Sequence, residues 1–198
     1  MSEEQSPDPL DAVAWPWRTE RLVLRRATLA DSDALWEHRS LPAVSEWLGW
    51  IPRDRADWDA EYPRRLAINL AIELEGRVVG DLMIRLGDGW GQREVADAAR
   101  GVEAELGWTL HPDVQGHGYA SEAVRAAFDI CFGPLGLRRV TAGAFARNEA
   151  SWRLMERVGM RREAYAVKES LHGTHGWLDG VTYALLAEEW PRPTSPRA

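Results

Sequence analysis

The segment that most constrains the fold is a strand that passes through a glycine-rich turn into a helix. Apolar and polar residues alternate over 102–110, which predicts a strand with one buried face. Over about 119–132 the apolar residues recur at helical spacing instead. Gln115-Gly116-His117-Gly118 lies between them, and its glycines permit a tight turn. A helix that follows a strand so closely packs against it, so the chain needs a sheet covered by helices.

The other periodicities extend this unit into a larger mixed sheet. The segment 41–65 is rich in Trp and Pro and predicts a helical excursion outside the sheet. Glu75-Gly76-Arg77 predicts a hairpin turn. The expected strands are 20–26, 70–74, 78–86, 102–110, 139–145, 161–170 and 181–186. The expected further helices are 31–40 and 149–158. The predicted fold class is therefore α+β, with a mixed, mostly antiparallel central sheet flanked by helices.

Length and composition limit the alternatives. The 198 residues suffice for one domain, expected at 18–190 between flexible tails at 1–17 and 191–198. The 24 Lys+Arg against 31 Asp+Glu disfavour nucleic acid as a partner. No apolar run is long enough to cross a membrane, and the acidic start lacks the basic residues of a secretory signal. The single Cys131 excludes an intrachain disulfide framework. We therefore expect a cytoplasmic protein with no membrane partner.

The glycine turn is also the first functional signal. Gly116 and Gly118 would expose consecutive backbone N–H groups, and the start of the following helix adds more. Such a turn can hold a pyrophosphate without a basic side chain. No Gly-Lys-Ser/Thr follows, so it is not a Walker loop, and a third glycine of the dinucleotide fingerprint is missing. An ordinary strand–helix turn and a turn that binds a nucleotide or another phosphate are the alternatives.

A wider pattern resembles a known family. Gln115-x-x-Gly118-x-Ala120 is similar to the acyl-CoA loop of the GNAT superfamily of N-acyltransferases. Three further segments resemble elements of its RimJ/RimL-type branch, and the resemblance covers about 18–190. These segments are the opening strand Thr19–Arg25, the pair Arg147–Ser151 and Glu156–Met160, and the closing stretch Tyr183–Trp190. The resemblance implies a sheet splayed at its central strands and direct transfer of an acetyl group from acetyl-CoA to an amine through a tetrahedral intermediate.

The resemblance also implies where each reactant binds. The implied CoA contacts are Thr109, Leu110, Gln115, Gly116, His117, Gly118, Tyr119, Ala120, Ser121, Asn148 and Ser151. The oxyanion of the intermediate would be held by a backbone N–H near Thr109 and Leu110. Many relatives place a Tyr near the thiol where this chain has Met155, which leaves Ser151 as the hydrogen-bond donor there. Asn148 is a candidate both for the pantetheine amides and for the helix N-cap.

The acceptor amine is protonated at neutral pH and needs a base before it can attack. Glu105 is the first candidate, because the family often gives this role to a carboxylate on this strand, and Glu103 is the second. The alternative is that both carboxylates simply face solvent. Trp36 and Trp50, together with Glu103 and Glu105, are the candidate acceptor contacts. For the 11 Trp as a group, core or dimer packing is the alternative.

These observations lead to one predicted function and two alternatives. The prediction is an acetyl-CoA-dependent N-acetyltransferase that acts on a protein N-terminus or a small-molecule amine. The alternatives are a catalytically silent acyl-CoA-binding regulatory module and a transferase that uses a larger acyl-CoA. No metal is expected, because His172-x-x-His175 lacks a third ligand. Whether the chain is a monomer or a homodimer stays open.

Overall fold

Eight strands form one open sheet in the computed structural model, which describes residues 8–191. Their order is β1-β2-β3-β4-β5-β6-β8-β7, and all neighbours are antiparallel except β5 and β6. The strands are β1 (Trp17–Arg18), β2 (Leu22–Arg26), β3 (Asn69–Leu74), β4 (Arg77–Gly87), β5 (Glu103–Leu110), β6 (Arg139–Phe145), β7 (Arg161–His172) and β8 (Gly176–Leu186). The helices are α1 (Ser32–Arg39), α2 (Pro42–Ser45), α3 (Arg55–Arg65), α4 (Tyr119–Phe132) and α5 (Glu149–Arg157). The predicted mixed, mostly antiparallel sheet is confirmed.

The helices cover the two faces of the sheet unequally. Helix α4 packs against β2, β4, β5 and β6, where Ala104 and Leu106 of β5 join the main core. Helix α1 packs on the opposite face, because its His38 reaches the side chain of Thr109. Residues of odd and even number point to opposite faces of a strand, so Thr109 and Leu106 face different helices. We call the face with α1 the acceptor face, since the predicted acceptor residues Glu103 and Glu105 share it with Thr109.

Helix α4 has the bounds that its periodicity predicts. Its apolar stripe is buried in the main core, including Val124, Phe128 and Cys131. Burial raises the pKa of the Cys131 thiol to about 12, so this side chain is a buried apolar group and not a nucleophile. The helix ends at Phe132, and Gly133 follows with its N–H bonded to the carbonyl of Asp129.

The N-terminal segment differs from the expected tail. Leu10 and Val13 are buried in the main core, and Trp15 donates its indole N–H to the carbonyl of Leu10 at 2.8 Å. Strand β1 pairs with β2, and Asp8 forms an ion pair with Arg26 at 2.5 Å. The prediction of a flexible tail over 1–17 is therefore wrong for residues 8–17. Residues 1–7, and 192–198 of the other predicted tail, lie outside the described residues.

The last two strands are longer than predicted. Strand β7 runs to His172 and β8 begins at Gly176, five residues before the expected start. The register between them shifts twice, and Lys168 has a positive φ of 53° at the second irregularity. Strand β7 is at the edge of the sheet and almost entirely exposed, so it shows no alternation that a pattern search would detect. Over residues 8–191, no helix has both the length and the apolar character needed to span a membrane.

Candidate active site

The two parallel strands at the middle of the sheet separate after a short paired region. Strands β5 and β6 pair only where Glu103–Glu105 face Arg139–Thr141. Beyond these residues β5 continues to Leu110 and β6 to Phe145 without pairing to each other. The strands thus diverge towards their carboxyl ends and leave a gap. The splay that the resemblance implied is present.

The hydrogen-bond pattern of β5 shows which backbone groups face this gap. His111 donates its N–H to the carbonyl of Val79, which continues the β4 ladder on the odd-numbered residues of β5. The even-numbered residues turn towards β6, as the bond from the N–H of Arg138 to the carbonyl of Val102 shows. The N–H groups of Trp108 and Leu110 therefore point into the gap. The amide of Thr109 points to β4 instead, so of the expected pair only Leu110 offers a donor there.

The glycine loop closes the wide end of the gap. Gly116 and Gly118 have φ values of 80° and 83°, in the left-handed region that favours glycine. Gln115 donates its side-chain amide to the carbonyl of Leu110 at 2.9 Å, which ties the loop to the end of β5. His117 bonds through Nδ1 to the carbonyl of Gln115 at 2.8 Å. Helix α4 then begins at Tyr119 and presents its first N–H groups, including that of Ala120, next to the loop.

One polar atom in this loop region has no partner among the described residues. Ser121 is 5% exposed, and its hydroxyl oxygen is buried without a hydrogen bond. A buried hydroxyl without a partner is costly, so its position in the first turn of α4 suits an anionic ligand held by the loop. A cleft of about 520 Å³ beside the loop also contains Arg18, Arg21, Arg125 and Arg157, together with three carboxylates. Residues and loop geometry therefore fit the pyrophosphate of CoA.

A set of contacts that the sequence did not reveal holds this loop. Glu122 accepts hydrogen bonds from the Thr19 hydroxyl at 2.6 Å, the Arg21 backbone N–H at 2.8 Å and Arg21 Nε at 2.7 Å. Arg21 also donates to the carbonyl of His117 at 3.0 Å, and its guanidinium lies 4.5 Å from the ring centroid of Tyr119. Burial works to raise the pKa of Glu122, but the hydrogen bonds from Thr19 and Arg21 outweigh it and lower the pKa. The opening segment of the domain thus braces the loop.

The two residues at the start of α5 lie beyond the end of β6. Asn148 accepts a hydrogen bond at its side-chain oxygen from the backbone N–H of Ser151 at 3.3 Å, so it is the N-cap of α5. The Ser151 side chain is half-buried on the first helical turn. Met155, where many relatives place a Tyr, is buried in the main core. Met155 thus offers no hydrogen-bond donor at this position, and Ser151 stays the predicted donor to the thiol.

The two candidate bases lie at the paired end of β5, on the acceptor face. Glu105 is exposed and forms an ion pair with Arg85 at 3.1 Å, directly across the β4–β5 ladder. Glu103 pairs with Arg138 and, at 3.5 Å, with Arg139. Glu105 and Trp108 are three positions apart, about 10 Å along a strand. A proton from an amine at the gap would reach Glu105 through water, whereas Glu103 is farther away and doubly engaged.

A buried polar network on the acceptor face was also missed. Asp81 is 1% exposed and accepts from Arg39 Nη2 at 2.7 Å, from Asn69 Nδ2 at 3.1 Å and from the Thr109 hydroxyl. His38 bonds through Nε2 to the same hydroxyl at 2.9 Å. Burial works to raise the pKa of Asp81, but the charge and the hydrogen bonds of Arg39 outweigh it, so its pKa lies well below the ordinary value. This network fixes Thr109, between the two donors that face the gap.

The two tryptophans predicted to contact the acceptor, Trp36 and Trp50, both pack against a third tryptophan. Trp58 is fully buried and donates its indole N–H to Ser32 at 2.9 Å. The ring centroids of Trp36 and Trp50 lie 6.1 and 6.0 Å from that of Trp58. Trp36 thus packs mainly against a second, smaller core, which is formed by Leu35, Trp58 and Tyr62. Trp50 also reaches a cleft of about 320 Å³ on the acceptor face, at the end of β6. The other lining residues of this cleft include Glu46, Leu48, Ile51, Phe145, Leu171 and His172.

The two histidines near the C-terminus have structural contacts. His172 is buried and donates through Nε2 to the carbonyl of Glu46 at 2.7 Å. Its Nδ1 accepts from the backbone N–H groups of Thr174 and His175, at 3.2 and 3.3 Å. Nδ1 is therefore used by the turn between β7 and β8, and Nε2 ties this turn to the residue that follows α2. Within residues 8–191, no group of three or more His, Cys, Asp or Glu side chains is arranged to hold a metal ion.

Comparison with known proteins places this site in context. The family model described as an acetyltransferase (GNAT) domain matches residues 21–161. The uncharacterized N-acetyltransferase YnaD of Bacillus subtilis is 40% identical over 86 residues, which are 43% of this chain and span half the length of that protein. The crystal structure of a GNAT-family acetyltransferase from Bacillus anthracis is 30% identical, with a TM-score of 0.74, and the match covers 87% of this chain and 98% of that one. RimJ of Mycobacterium smegmatis, solved with CoA-disulfide, shares the fold at 23% identity and a TM-score of 0.69, over 86% of this chain and 84% of that one.

Proposed function

Because the chain belongs to the GNAT family of acetyltransferases, we propose that it moves the acetyl group of acetyl-CoA directly to the amino group of an acceptor that binds on the acceptor face. One observation carries the proposal. The gap between β5 and β6 presents the N–H groups of Trp108 and Leu110, and the glycine loop with the unpartnered Ser121 hydroxyl lies at its wide end. A thioester bound with its pyrophosphate at this loop would bring its carbonyl to these donors.

The proposed reaction assigns a role to each residue. The amine loses a proton to Glu105 through water, and its nitrogen then attacks the thioester carbonyl carbon. The N–H groups of Trp108 and Leu110 stabilise the negative charge that develops on the carbonyl oxygen. The carbon–sulfur bond breaks as the new amide forms, and the nitrogen loses its second proton. That proton passes to the departing thiolate, to which the Ser151 hydroxyl donates a hydrogen bond. Asn148, besides capping α5, contacts the pantetheine amides.

The alternative is a domain that binds acetyl-CoA without turning it over. Two observations favour it: Met155 is buried where many relatives have a Tyr, and Glu105 is held in an ion pair with Arg85. It predicts cofactor binding that does not depend on Glu105. A donor with a longer acyl chain is a variant of the main proposal and predicts the same base and loop.

The first experiment is calorimetric titration with acetyl-CoA, with ADP as the control ligand. We expect one-to-one binding that is tighter for acetyl-CoA than for ADP. Turnover of an amine panel is then measured for the native chain and for Glu105→Gln, with Glu188→Gln at an exposed position after β8 as the matched control. We expect Glu105→Gln to lower kcat about 100-fold or more, the usual worth of a general base, without weakening acetyl-CoA binding. Equal binding of ADP would remove the CoA assignment, and unchanged turnover would remove the base.

A further inference from the structure

Arg65, the last residue of α3, has no ion-pair partner among the described residues, although the charges of Asp81 and Glu61 act on it from a greater distance. Its side chain is half-buried, and its guanidinium lies 4.7 Å from the ring centroid of Trp50. Its Nε is buried without a hydrogen-bond partner among residues 8–191. In the same part of the chain no Asp or Glu oxygen lies within ion-pair distance of it. The stack on Trp50 offsets only part of the cost of this burial.

The neighbouring arginines differ from Arg65 in this respect. Arg39 is bound to Asp81, Arg85 to Glu105 and Arg64 to Glu61. Burial, and after it the charge of Arg39, lower the pKa of the Arg65 guanidinium. A planar guanidinium that is stacked on an aromatic ring, with its Nε–H unpaired, is preorganised to receive two oxygens of one carboxylate. A carboxylate brought by a ligand would supply the hydrogen bonds that this guanidinium lacks among residues 8–191.

The position of Arg65 connects it to the proposed active site. The charges of Asp81 and Arg85 act on it, and both residues project from the same face of β4. Arg85 in turn is bound to Glu105, the proposed base. On its other side Trp50 reaches the cleft at the end of β6, which has about 320 Å³. This volume suits a small molecule. An anion at Arg65 would thus belong to the molecule whose amine approaches the gap.

We infer that the acceptor is a small amine that also carries a carboxylate, and that Arg65, stacked on Trp50, binds this carboxylate. The inference rests on the proposed function and names the acceptor class for the same site. The bidentate contact would anchor the acceptor on the acceptor face, with its amino group directed to the gap. The excess of acidic residues, 31 against 24 basic ones, would otherwise repel such a molecule, so one unpaired guanidinium has a large effect on its binding.

The test compares free acids with their carboxamides as acceptors: phenylalanine with phenylalaninamide, and methionine with methioninamide. Acetyl transfer is measured as kcat/KM for the native chain and for Arg65→Gln, Arg65→Lys and Arg64→Gln. Arg64→Gln removes the same charge one residue away, at an exposed site. Each acid-to-amide ratio is divided by the ratio of the native chain, which cancels the different basicities of the amines. We expect Arg65→Gln to lower this ratio about tenfold or more, Arg65→Lys to lower it less, and Arg64→Gln to leave it unchanged.

A second readout does not depend on turnover. N-acetylphenylalanine and its amide are titrated into the chain saturated with CoA. We expect the acid to bind more tightly than the amide, and we expect Arg65→Gln to remove this difference in affinity. Equal ratios for Arg65→Gln and Arg64→Gln, or tighter binding of the amide by the native chain, would overturn the inference while leaving acetyl transfer intact. If CoA and the acid bind as expected but no amine is acetylated, the carboxylate site stands and the proposed transfer is what fails.

Discussion

Asp81 makes the sharpest test of the buried network on the acceptor face. Its two carboxylate oxygens accept from Arg39, Asn69 and the Thr109 hydroxyl, and the side chain is 1% exposed. In Asp81→Asn one oxygen becomes an NH2 group, so a donor then faces either Thr109 or Arg39. The substitution also leaves the guanidinium of Arg39 buried without a counter-charge. Breaking a buried ion pair in this way costs about 3–5 kcal/mol, a large share of the roughly 5–15 kcal/mol that stabilises a domain.

The pH dependence of this loss follows from the direction of the pKa shift. The pKa of Asp81 in the folded chain lies below its value of 3.8 in the unfolded chain. Its contribution to the free energy of unfolding is therefore fully present above that value and is lost as the pH falls below it. We expect native chain and Asp81→Asn to differ by about 3–5 kcal/mol at pH 7 and by progressively less below about pH 4.

The assay is urea denaturation followed by far-ultraviolet circular dichroism, at pH 7 and at intervals down to pH 3. Asp59→Asn is the control, because Asp59 is half-exposed and pairs with Arg55 one helical turn away. We expect this control to change the free energy of unfolding by less than about 0.5 kcal/mol. A loss below about 1 kcal/mol for Asp81→Asn at pH 7, or a loss of the same size at pH 3, would refute the reasoning.

Three further predictions concern the glycine loop and the core. Gly118→Val is expected to abolish acetyl-CoA binding in calorimetry, because valine is strained at a φ of 83° and would distort the loop; unchanged affinity would contradict the assignment of the glycine loop to the pyrophosphate. Ser121→Ala is expected to weaken acetyl-CoA binding about tenfold without lowering the melting temperature of the ligand-free chain, whereas equal affinity would show that the buried hydroxyl binds no ligand. Cys131 is expected to resist a thiol-specific reagent at pH 8 until urea unfolds the chain, because burial raises its pKa to about 12; rapid labelling of the folded chain would show that the core opens.

The elements that the sequence predicted well are those with strong internal periodicity. Helix α4 and strand β6 have the expected bounds, because their apolar residues alternate or recur without interruption. Strand β7 was predicted two residues short, since an exposed edge strand has no buried face to mark it. The N-terminal segment was missed because only Leu10 and Val13 enter the core, too few for a pattern.

The site divides in the same way. The glycine loop was predictable because its residues are adjacent in the chain and its turn needs glycine. The brace of Glu122 by Thr19 and Arg21 joins residues about one hundred positions apart, and the network of His38, Asp81 and Thr109 joins three elements. Such contacts depend on the register of β4 and β5, which no local pattern specifies. The sequence offered one signal for this network, which is the charged Asp81 after Gly80 in the middle of an otherwise apolar strand.

The short pairing between β5 and β6 has a mechanical consequence. Strands β1 to β5 form one half of the sheet and β6 to β8 the other, and within residues 8–191 the ladder between the two halves has three residue pairs. Every other ladder in the interior of the sheet is longer. Of the interior ladders, this seam is therefore the one that we expect to separate at the lowest cost, and helix α4 contacts strands on both sides of it. A ligand that fills the gap would bridge β5 and β6 as an additional strand would. Ligand binding would then stabilise the contact between the two halves of the sheet, and separation of the halves would weaken ligand binding.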